Sequence, residues 1–295
     1  MIRATLVTLF LLCHALSPAT AQDWDSFAYE ATELRDGLWH LLGTGANLLM
    51  SVGGDGVLLV DADYAQMGDK LAGFVRERTG TSAAYLLSTH WHYDHVGGNE
   101  ALAAEGAVII AHENVRRRMA VETRIDLLDH VQPPSAAAAL PGLTFTDSLI
   151  LRWNGQEIVL CHAVAHTDGD AIVHFRDTDV IHVGDVFFNC GYPFIDTSCG
   201  GDIDGMIAAV ETILGLCGEK TVIVPGHGPL AARADLETYL GLLTDFRAAI
   251  APLKAAGMSL EEVQAAGATA ELDALWGDKM FPPHLFTAMV YLTLD

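Results

Sequence analysis

Short apolar runs and amphipathic segments alternate along the chain, and glycines or acidic residues separate them. Three apolar runs between residues 37 and 63 are broken by Gly43, Gly45 and residues 53–56, a pattern that predicts hairpin-connected strands. Asn154-Gly155, between two further apolar runs, is typical of a type I′ hairpin turn. Because strands and helices alternate over most of the remaining chain, the pattern predicts an α/β fold.

The same pattern gives approximate limits for the individual elements. Strands are predicted over residues 38–42, 47–52, 57–60, 83–88, 107–111, 144–153, 156–164, 171–175, 180–183 and 221–224. Helices are predicted over residues 65–78, 99–105, 113–120 and 203–216, with a mainly helical tail from about residue 235. Residues 121–142 and 186–202 are predicted to be loops. The composition shows no strong break, so we expect one domain.

The first 21 residues have the features of a secretory signal. Arg3 supplies a positive charge, residues 6–12 form an apolar stretch, and Ala19-Thr20-Ala21 resembles a cleavage site. The apolar stretch is too short to span a membrane, so we expect no stable membrane insertion after cleavage. The sequence thus predicts a signal peptide at residues 1–21, a single domain over residues 22–295 and a periplasmic or secreted location.

The chain is strongly acidic, with 38 acidic and 16 basic residues and a formal net charge of −22 at pH 7. Such a surface repels nucleic acid and anionic membranes and argues against a long polyanionic substrate. We therefore expect a small-molecule substrate and no nucleic-acid partner. The sequence leaves open the oligomeric state, and also whether Cys190 and Cys199 form a disulfide in an oxidising compartment.

Metal-capable side chains are concentrated behind one predicted buried strand. His90, His92, Asp94 and His95 stand within six residues of each other, and glycines follow them. In a looped segment His90 and His92 face the same way, whereas Asp94 and His95 fall around the turn. Imidazole nitrogen and carboxylate oxygen are ligands for zinc, so each pair can contribute to one metal ion. The remaining ligands must come from elsewhere in the chain.

Three later residues stand in the same kind of place as that cluster, directly behind an apolar strand. His166, Asp185 and His227 each stand where an apolar strand gives way to a glycine-containing loop. Asp61 ends an early strand in the same way. It is either a turn former or the partner that orients a metal-bound histidine from outside the ligand sphere.

Four segments follow one another in the chain: Ser88-Thr89-His90-Trp91-His92-Tyr93-Asp94-His95-Val96-Gly97-Gly98, Ala165-His166-Thr167, Gly184-Asp185 and Pro225-Gly226-His227-Gly228. Together they resemble the metallo-β-lactamase-fold (MBL-fold) hydrolase superfamily over roughly residues 37–230, in particular its secreted β-lactamase-like members. The resemblance implies a four-layer αββα sandwich with the metals at one edge between the sheets.

The resemblance also implies a role for each candidate ligand. It assigns one zinc ion to His90, His92 and His166, a second zinc ion to Asp94, His95 and His227, and a bridging position to Asp185. Asp61 matches the superfamily's buried aspartate at the end of an early strand.

The activity implied is that of a dizinc metallo-hydrolase in which hydroxide attacks a small carbonyl substrate. The substrate class is an ester, lactone, thioester or amide, including β-lactams, and Asp94 would orient the hydroxide. Phe188, Asn189 and Tyr192 are candidate substrate-pocket residues within the predicted loop 186–202. Whether the aromatic residues among them only cover the sheet edge stays open.

Three other functions remain as alternatives. A glyoxalase II-like thioesterase is disfavoured because His166-Thr167 is followed by Asp168-Gly169 rather than by proline and glycine. A mononuclear iron thiol dioxygenase would keep these ligands but use one iron ion. A non-catalytic periplasmic metal-binding protein is the alternative from a different class, and the full ligand set argues against it.

Overall fold

The computed structural model describes residues 23–277 and 279–294, so the predicted signal peptide at residues 1–21 lies outside the described residues. The strands are β1 (Glu30–Arg35), β2 (Leu38–Leu42), β3 (Asn47–Gly53), β4 (Gly56–Val60), β5 (Ala83–Leu87), β6 (Val108–His112), β7 (Thr123–Ile125), β8 (His130–Gln132), β9 (Leu143–Phe145), β10 (Ser148–Trp153), β11 (Gln156–Ala163), β12 (Asp170–Phe175), β13 (Val180–Phe188) and β14 (Val222–His227). The helices are α1 (Gly68–Thr79), α2 (Tyr93–Val96), α3 (Asn99–Ala104), α4 (Glu113–Met119), α5 (Ile203–Leu216), α6 (Arg233–Ala255), α7 (Leu260–Ala266), α8 (Ala270–Trp276) and α9 (Pro283–Thr293).

Two large sheets form the centre of the molecule. The first has seven strands in the order β1-β2-β3-β4-β5-β6-β9 and the second has five in the order β10-β11-β12-β13-β14. In the first sheet β1 to β4 pair antiparallel, whereas β4, β5, β6 and β9 are parallel. In the second sheet only β13 and β14 are parallel. Parallel neighbours bring their carboxyl ends to the same edge, where the candidate ligands follow.

Successive side chains of each strand point to opposite faces of the sheet, and these faces pack into separate layers. Leu58 of β4 and Phe175 of β12 belong to the apolar cluster between the two sheets. The next residue of β4, Leu59, points to the other face and packs in a second cluster with Val75 of α1. Ile213 of α5 lies in the third cluster, on the outer face of the second sheet. The order helix, sheet, sheet, helix confirms the predicted four-layer sandwich.

The structure differs from the predicted elements in several places. The strand predicted over residues 144–153 is two strands, β9 at the edge of the first sheet and β10 at the edge of the second, and β14 continues three residues past its predicted end to His227. Residues 121–142 are not all loop, because β7 and β8 form a small antiparallel hairpin there. β13 continues to Phe188, five residues past its predicted end, and β1 was not predicted. Three-residue strands show too little alternation to stand out, and the glycine of β13 obscures its continuation.

No disulfide joins Cys190 to Cys199 in the structure. Among the described residues, no helix has both the length and the apolar character needed to span a bilayer.

Candidate metal centre

The structure brings the seven predicted ligand residues together. They form one group of His90, His92, His166 and Asp185 and another of Asp94, His95 and His227; within each group, one ligand-capable atom per residue lies within 4.8 Å of the others. Asp185 stands between the groups. Its Oδ2 is 3.4 Å from Nε2 of His166 and 3.3 Å from Nε2 of His227, and its Oδ1 is 3.1 Å from Nε2 of His95. One carboxylate therefore contacts histidines of both groups.

Glycine makes the position of the Asp185 carboxylate possible. A Cβ at Gly226 of β14 would lie 1.9 Å from Asp185 Oδ1, which is inside van der Waals contact. Gly184, directly before Asp185, has φ +51°, and a Cβ there would meet the side chain of Thr89 at 2.8 Å. Gly226 therefore allows β14 to approach the Asp185 carboxylate on β13, and Gly184 allows β13 to approach the Thr89 side chain.

Asp61 is fully buried behind the second group and holds His95. Its Oδ2 is 2.7 Å from Nδ1 of His95, and its carboxylate also accepts hydrogen bonds from the backbone N–H and the hydroxyl of Thr89. A carboxylate can only accept, so Nδ1 of His95 carries a proton and Nε2 is the nitrogen that a metal can bind. Asp61 itself has φ +62°, which aims its side chain back under the loop. The structure thus places Asp61 where it orients a candidate ligand.

Asp196 orients a candidate ligand of the first group, as Asp61 does for the second. The sequence did not suggest this role for Asp196. Its Oδ2 accepts a hydrogen bond from Nε2 of His92 at 3.0 Å, which leaves Nδ1 of His92 to face Nε2 of His166 at 2.8 Å. Oδ1 of Asp196 accepts from the N–H groups of Ser198 and Cys199. An aspartate two residues before a serine is a turn signal, and it is the only sequence feature that could have drawn attention to Asp196.

Burial and the carboxylates together set the charges of the histidines. Burial lowers the pKa of His90 well below its ordinary value and that of His166 to about 4, so both are neutral at pH 7. Burial also acts on His95 and His227, but there the carboxylates outweigh it. They raise the pKa of His95 well above its ordinary value and that of His227 to about 10. The protein without metal thus holds protons on the second group.

Several ligand-capable atoms are buried without a hydrogen-bond partner among the described residues. They are Nε2 of His90, Nε2 of His95 and Oδ1 of Asp185. A buried polar atom without a partner is costly, and such atoms are rare in folded proteins. His90 belongs to the first group and His95 to the second, and Asp185 contacts histidines of both, so a cation in each group would satisfy these atoms. The donor set of imidazoles and carboxylates fits divalent zinc or another borderline transition metal.

The three predicted pocket residues have different surroundings. The ring of Phe188 stacks on His227, with centroids 5.0 Å apart, so it borders the site. Asn189 donates its side-chain amide to Pro229 O and its N–H to His227 O, and so fixes the strand end that carries His227. Tyr192 is fully buried, and its hydroxyl donates to Asp273 of α8. Phe246 of α6 and Phe286 of α9 pack on the Tyr192 ring, and its part in a substrate pocket stays a prediction.

Fold and site define a metal-dependent hydrolase. Residues 44–245 match the family described as the Metallo-beta-lactamase superfamily, and the chain belongs to that superfamily. This agrees with the resemblance in the sequence motifs.

Individual relatives point in the same direction. The chain is 29% identical over 144 residues to Hydroxyacylglutathione hydrolase GloC of Haemophilus influenzae, covering 48% of this chain and 68% of the relative. It is 28% identical over 156 residues to a Hydroxyacylglutathione hydrolase of Polaromonas sp., covering 50% of this chain and 49% of the relative, so it spans about half that enzyme's length. A metallo-beta-lactamase structure from Pontibacter korlensis superposes with a TM-score of 0.59 at 18% identity, over 74% of this chain and 99% of that one. This last similarity concerns the fold alone.

Proposed function

We propose that this protein is a dizinc hydrolase that cleaves small acyl substrates: esters, lactones, thioesters or amides, including β-lactams. The observation that carries the proposal is the position of Asp185. Its carboxylate contacts His166 of one ligand group and both His95 and His227 of the other. A carboxylate between two sets of imidazole donors suits a pair of divalent cations and has no evident use in a packed apolar core.

In this proposal each group of ligands holds one cation. His90, His166 and Nδ1 of His92 would hold the first, Asp94, His95 and His227 would hold the second, and Asp185 would serve both. When bound, such a pair of cations supplies Lewis acidity and makes water nucleophilic near neutral pH. The side chains of the protein orient the water and hold the ligand residues in place.

Asp94 is the residue best positioned to handle the attacking water. Its side chain is 14% exposed and that of His227 is 10% exposed, whereas those of His90 and His95 are almost completely buried. A carboxylate at the open side can accept a hydrogen bond from water and so aim its lone pair at a carbonyl carbon. Burial raises the pKa of Asp94, but His95 at 3.7 Å and His227 at 3.4 Å from its Oδ2 outweigh burial and lower that pKa to about 2.

The buried shell keeps these groups in place. Asp61 and Asp196 hold His95 and His92 from behind, and the carbonyl oxygen of Phe194 accepts a hydrogen bond from Nδ1 of His166 at 2.7 Å. Because these hydrogen bonds already hold the histidines in place, the histidines need not reorganise when substrate binds. Such preorganisation favours catalysis. A glyoxalase II-like thioesterase is the most specific version of the proposal, and the names of the two hydroxyacylglutathione hydrolase relatives favour it.

The experiment combines metal analysis with a substrate panel. Purified protein is expected to contain about two zinc ions per chain and to hydrolyse at least one of an acyl thioester, aryl ester, lactone or β-lactam. Asp94→Asn should lose most of that activity, whereas Asp245→Asn, an exposed position on α6, should keep it. Iron in place of zinc with thiol oxidation would favour the dioxygenase alternative. Tight metal binding without any turnover would favour the metal-binding protein.

We also propose that residues 22–295 form one domain that is exported after removal of residues 1–21, to the periplasm or beyond. The support is the charged, apolar and small-residue pattern of the N-terminus. N-terminal sequencing of protein purified from its native host should begin at Gln22. A native protein that retains Met1 would contradict this.

A further inference from the structure

Aromatic side chains form a continuous wall beside the site. Trp24, Tyr64, Tyr93 and His130 are all half-buried and contact one another in that order. Their ring centroids are 5.2 Å apart for Trp24 and Tyr64, 5.7 Å for Tyr64 and Tyr93, and 4.8 Å for Tyr93 and His130. These four residues, called the aromatic wall below, come from four separate segments of the chain.

The aromatic wall lies against Asp94, the most exposed of the candidate ligands. Tyr93 directly precedes Asp94 in α2. A Cβ at Gly45 would lie 2.5 Å from Cε2 of Tyr64 and 2.8 Å from Cβ of Asp94, so the Tyr64 ring and Asp94 flank the same point. The wall therefore lies beside the most exposed of the candidate ligands, whose side chain is 14% exposed.

Buried hydrogen bonds hold the wall in position. Asp63, fully buried with φ +58°, accepts from the N–H of Tyr64, the hydroxyl of Tyr29 and the loop residues Thr44 and Gly45. Lys70 Nζ donates to the carbonyl oxygens of Trp24, Asp25 and Phe27 and anchors the segment that carries Trp24. A surface built in this way is preorganised, which lowers the entropic cost of binding a ligand.

The hydroxyl groups of the wall are available to a ligand. Those of Tyr64 and Tyr93 have no hydrogen-bond partner among the described residues, whereas the hydroxyls of Tyr29 and Tyr192 donate to carboxylates. Aromatic rings favour flat apolar groups, and phenol hydroxyls donate to neutral oxygens. The neighbouring carboxylates of Asp63 and Asp94 would repel an anionic group at the same place.

We infer that Tyr64 and Tyr93 determine substrate specificity by binding an uncharged aryl or similarly flat apolar group of the acyl substrate. The rings contact that group, and the hydroxyls donate to an uncharged oxygen next to it. The inference rests on the proposed function for the identity of the substrate, but the binding site can be tested without turnover.

Binding of three small amides to the zinc-loaded protein tests the inference, measured by calorimetry or ligand-observed NMR. Phenylacetamide should bind about tenfold more tightly than acetamide, which lacks the ring, and than 4-carboxyphenylacetamide, which adds an anion. Tyr64→Leu should abolish the preference for the ring. Tyr64→Phe and Tyr93→Phe should each weaken phenylacetamide binding about threefold through loss of a donor.

Tyr85→Phe is the matched control, because the Tyr85 ring packs on Trp153 between the sheets, away from the wall. Its binding should equal that of the wild type, and melting temperatures should verify that every variant folds. The inference is overturned if phenylacetamide binds no better than acetamide, or if Tyr64→Phe and Tyr93→Phe both behave like Tyr85→Phe.

A second arm separates this inference from the proposed function. Hydrolysis of the phenylacetyl thioester of N-acetylcysteamine is compared with that of the acetyl thioester. Turnover of both with no change in KM for the phenylacetyl ester in Tyr64→Leu overturns the inference alone. Absence of turnover of any acyl substrate, with Tyr64-dependent binding of phenylacetamide retained, overturns the hydrolase proposal and leaves the binding site in place.

Discussion

Oδ2 of Asp61 lies 2.7 Å from Nδ1 of His95, and both side chains are completely buried. The contact fixes which nitrogen of His95 carries the proton. The other nitrogen, Nε2, then faces Asp185 at 3.1 Å and is the nitrogen that can bind a metal once its proton has left. The ability of His95 to bind a metal is thus decided by a residue 34 positions earlier in the chain that is not itself a ligand.

Asp61→Asn should therefore weaken binding of the second zinc ion. An amide at this position presents an N–H group either to Nδ1 of His95 or to the backbone N–H of Thr89, and neither arrangement is favourable. We expect a loss of about 10- to 100-fold in affinity for that metal, measured by competition with a chelator. Asp245→Asn provides the control, and unchanged zinc affinity in Asp61→Asn would contradict the role assigned to Asp61.

Asp196→Asn should affect the other metal. The amide would favour the His92 tautomer that is protonated on Nδ1, the nitrogen that faces His166. Zinc affinity at the first group should fall by a similar factor of about 10 to 100, while the second group changes less. Ser198→Ala, which removes only the hydroxyl that donates to Asp196 Oδ1, should have a much smaller effect. Equal effects of the two variants on metal binding would argue against this account.

Gly226→Ala should disrupt the site without touching a ligand residue. Its Cβ would lie 1.9 Å from Asp185 Oδ1 and 2.8 Å from the carbonyl carbon of Gly184, so the carboxylate between the two groups must move. We expect metal content to fall below one equivalent and activity to be lost, measured by elemental analysis and the substrate panel. Gly241→Ala on α6 is the control, since a Cβ there meets nothing within 4 Å and alanine favours the helix. Full metal content in Gly226→Ala would show that the strands can separate.

Zinc binding should release protons. Before metal binds, the carboxylates keep His95 and His227 protonated at pH 7, with the pKa of His227 near 10. Since a metal takes only the deprotonated imidazole, about two protons must leave. Between pH 6 and 8, below these raised pKa values, apparent zinc affinity should therefore increase with pH. Calorimetry in two buffers of different ionisation enthalpy counts the protons, and a count near zero would mean that both histidines are already neutral.

Much of this protein can be predicted from its sequence. The histidine cluster at residues 90–95 and the strand-end positions of His166 and His227 indicate a shared site from the sequence alone. Asp185 is also predicted at a strand end, but it lies inside β13, which continues to Phe188. Helix α5 begins and ends at the residues that the periodicity predicts, Ile203 and Leu216. These features depend on short-range patterns, namely spacing, alternation and glycine placement, which the chain carries locally.

Other features depend on which segments meet in three dimensions. Nothing near Asp196 in the sequence points to His92, 104 residues away, and nothing near Tyr192 indicates that the C-terminal helices enclose it. The aromatic wall likewise exists only because Trp24, Tyr64, Tyr93 and His130 come together from distant positions. The sequence by itself determined the ligand types and most of the strands and helices. Tertiary structure alone decided the partners of the ligands and the walls of the site, because those contacts arise from packing between segments far apart in the chain.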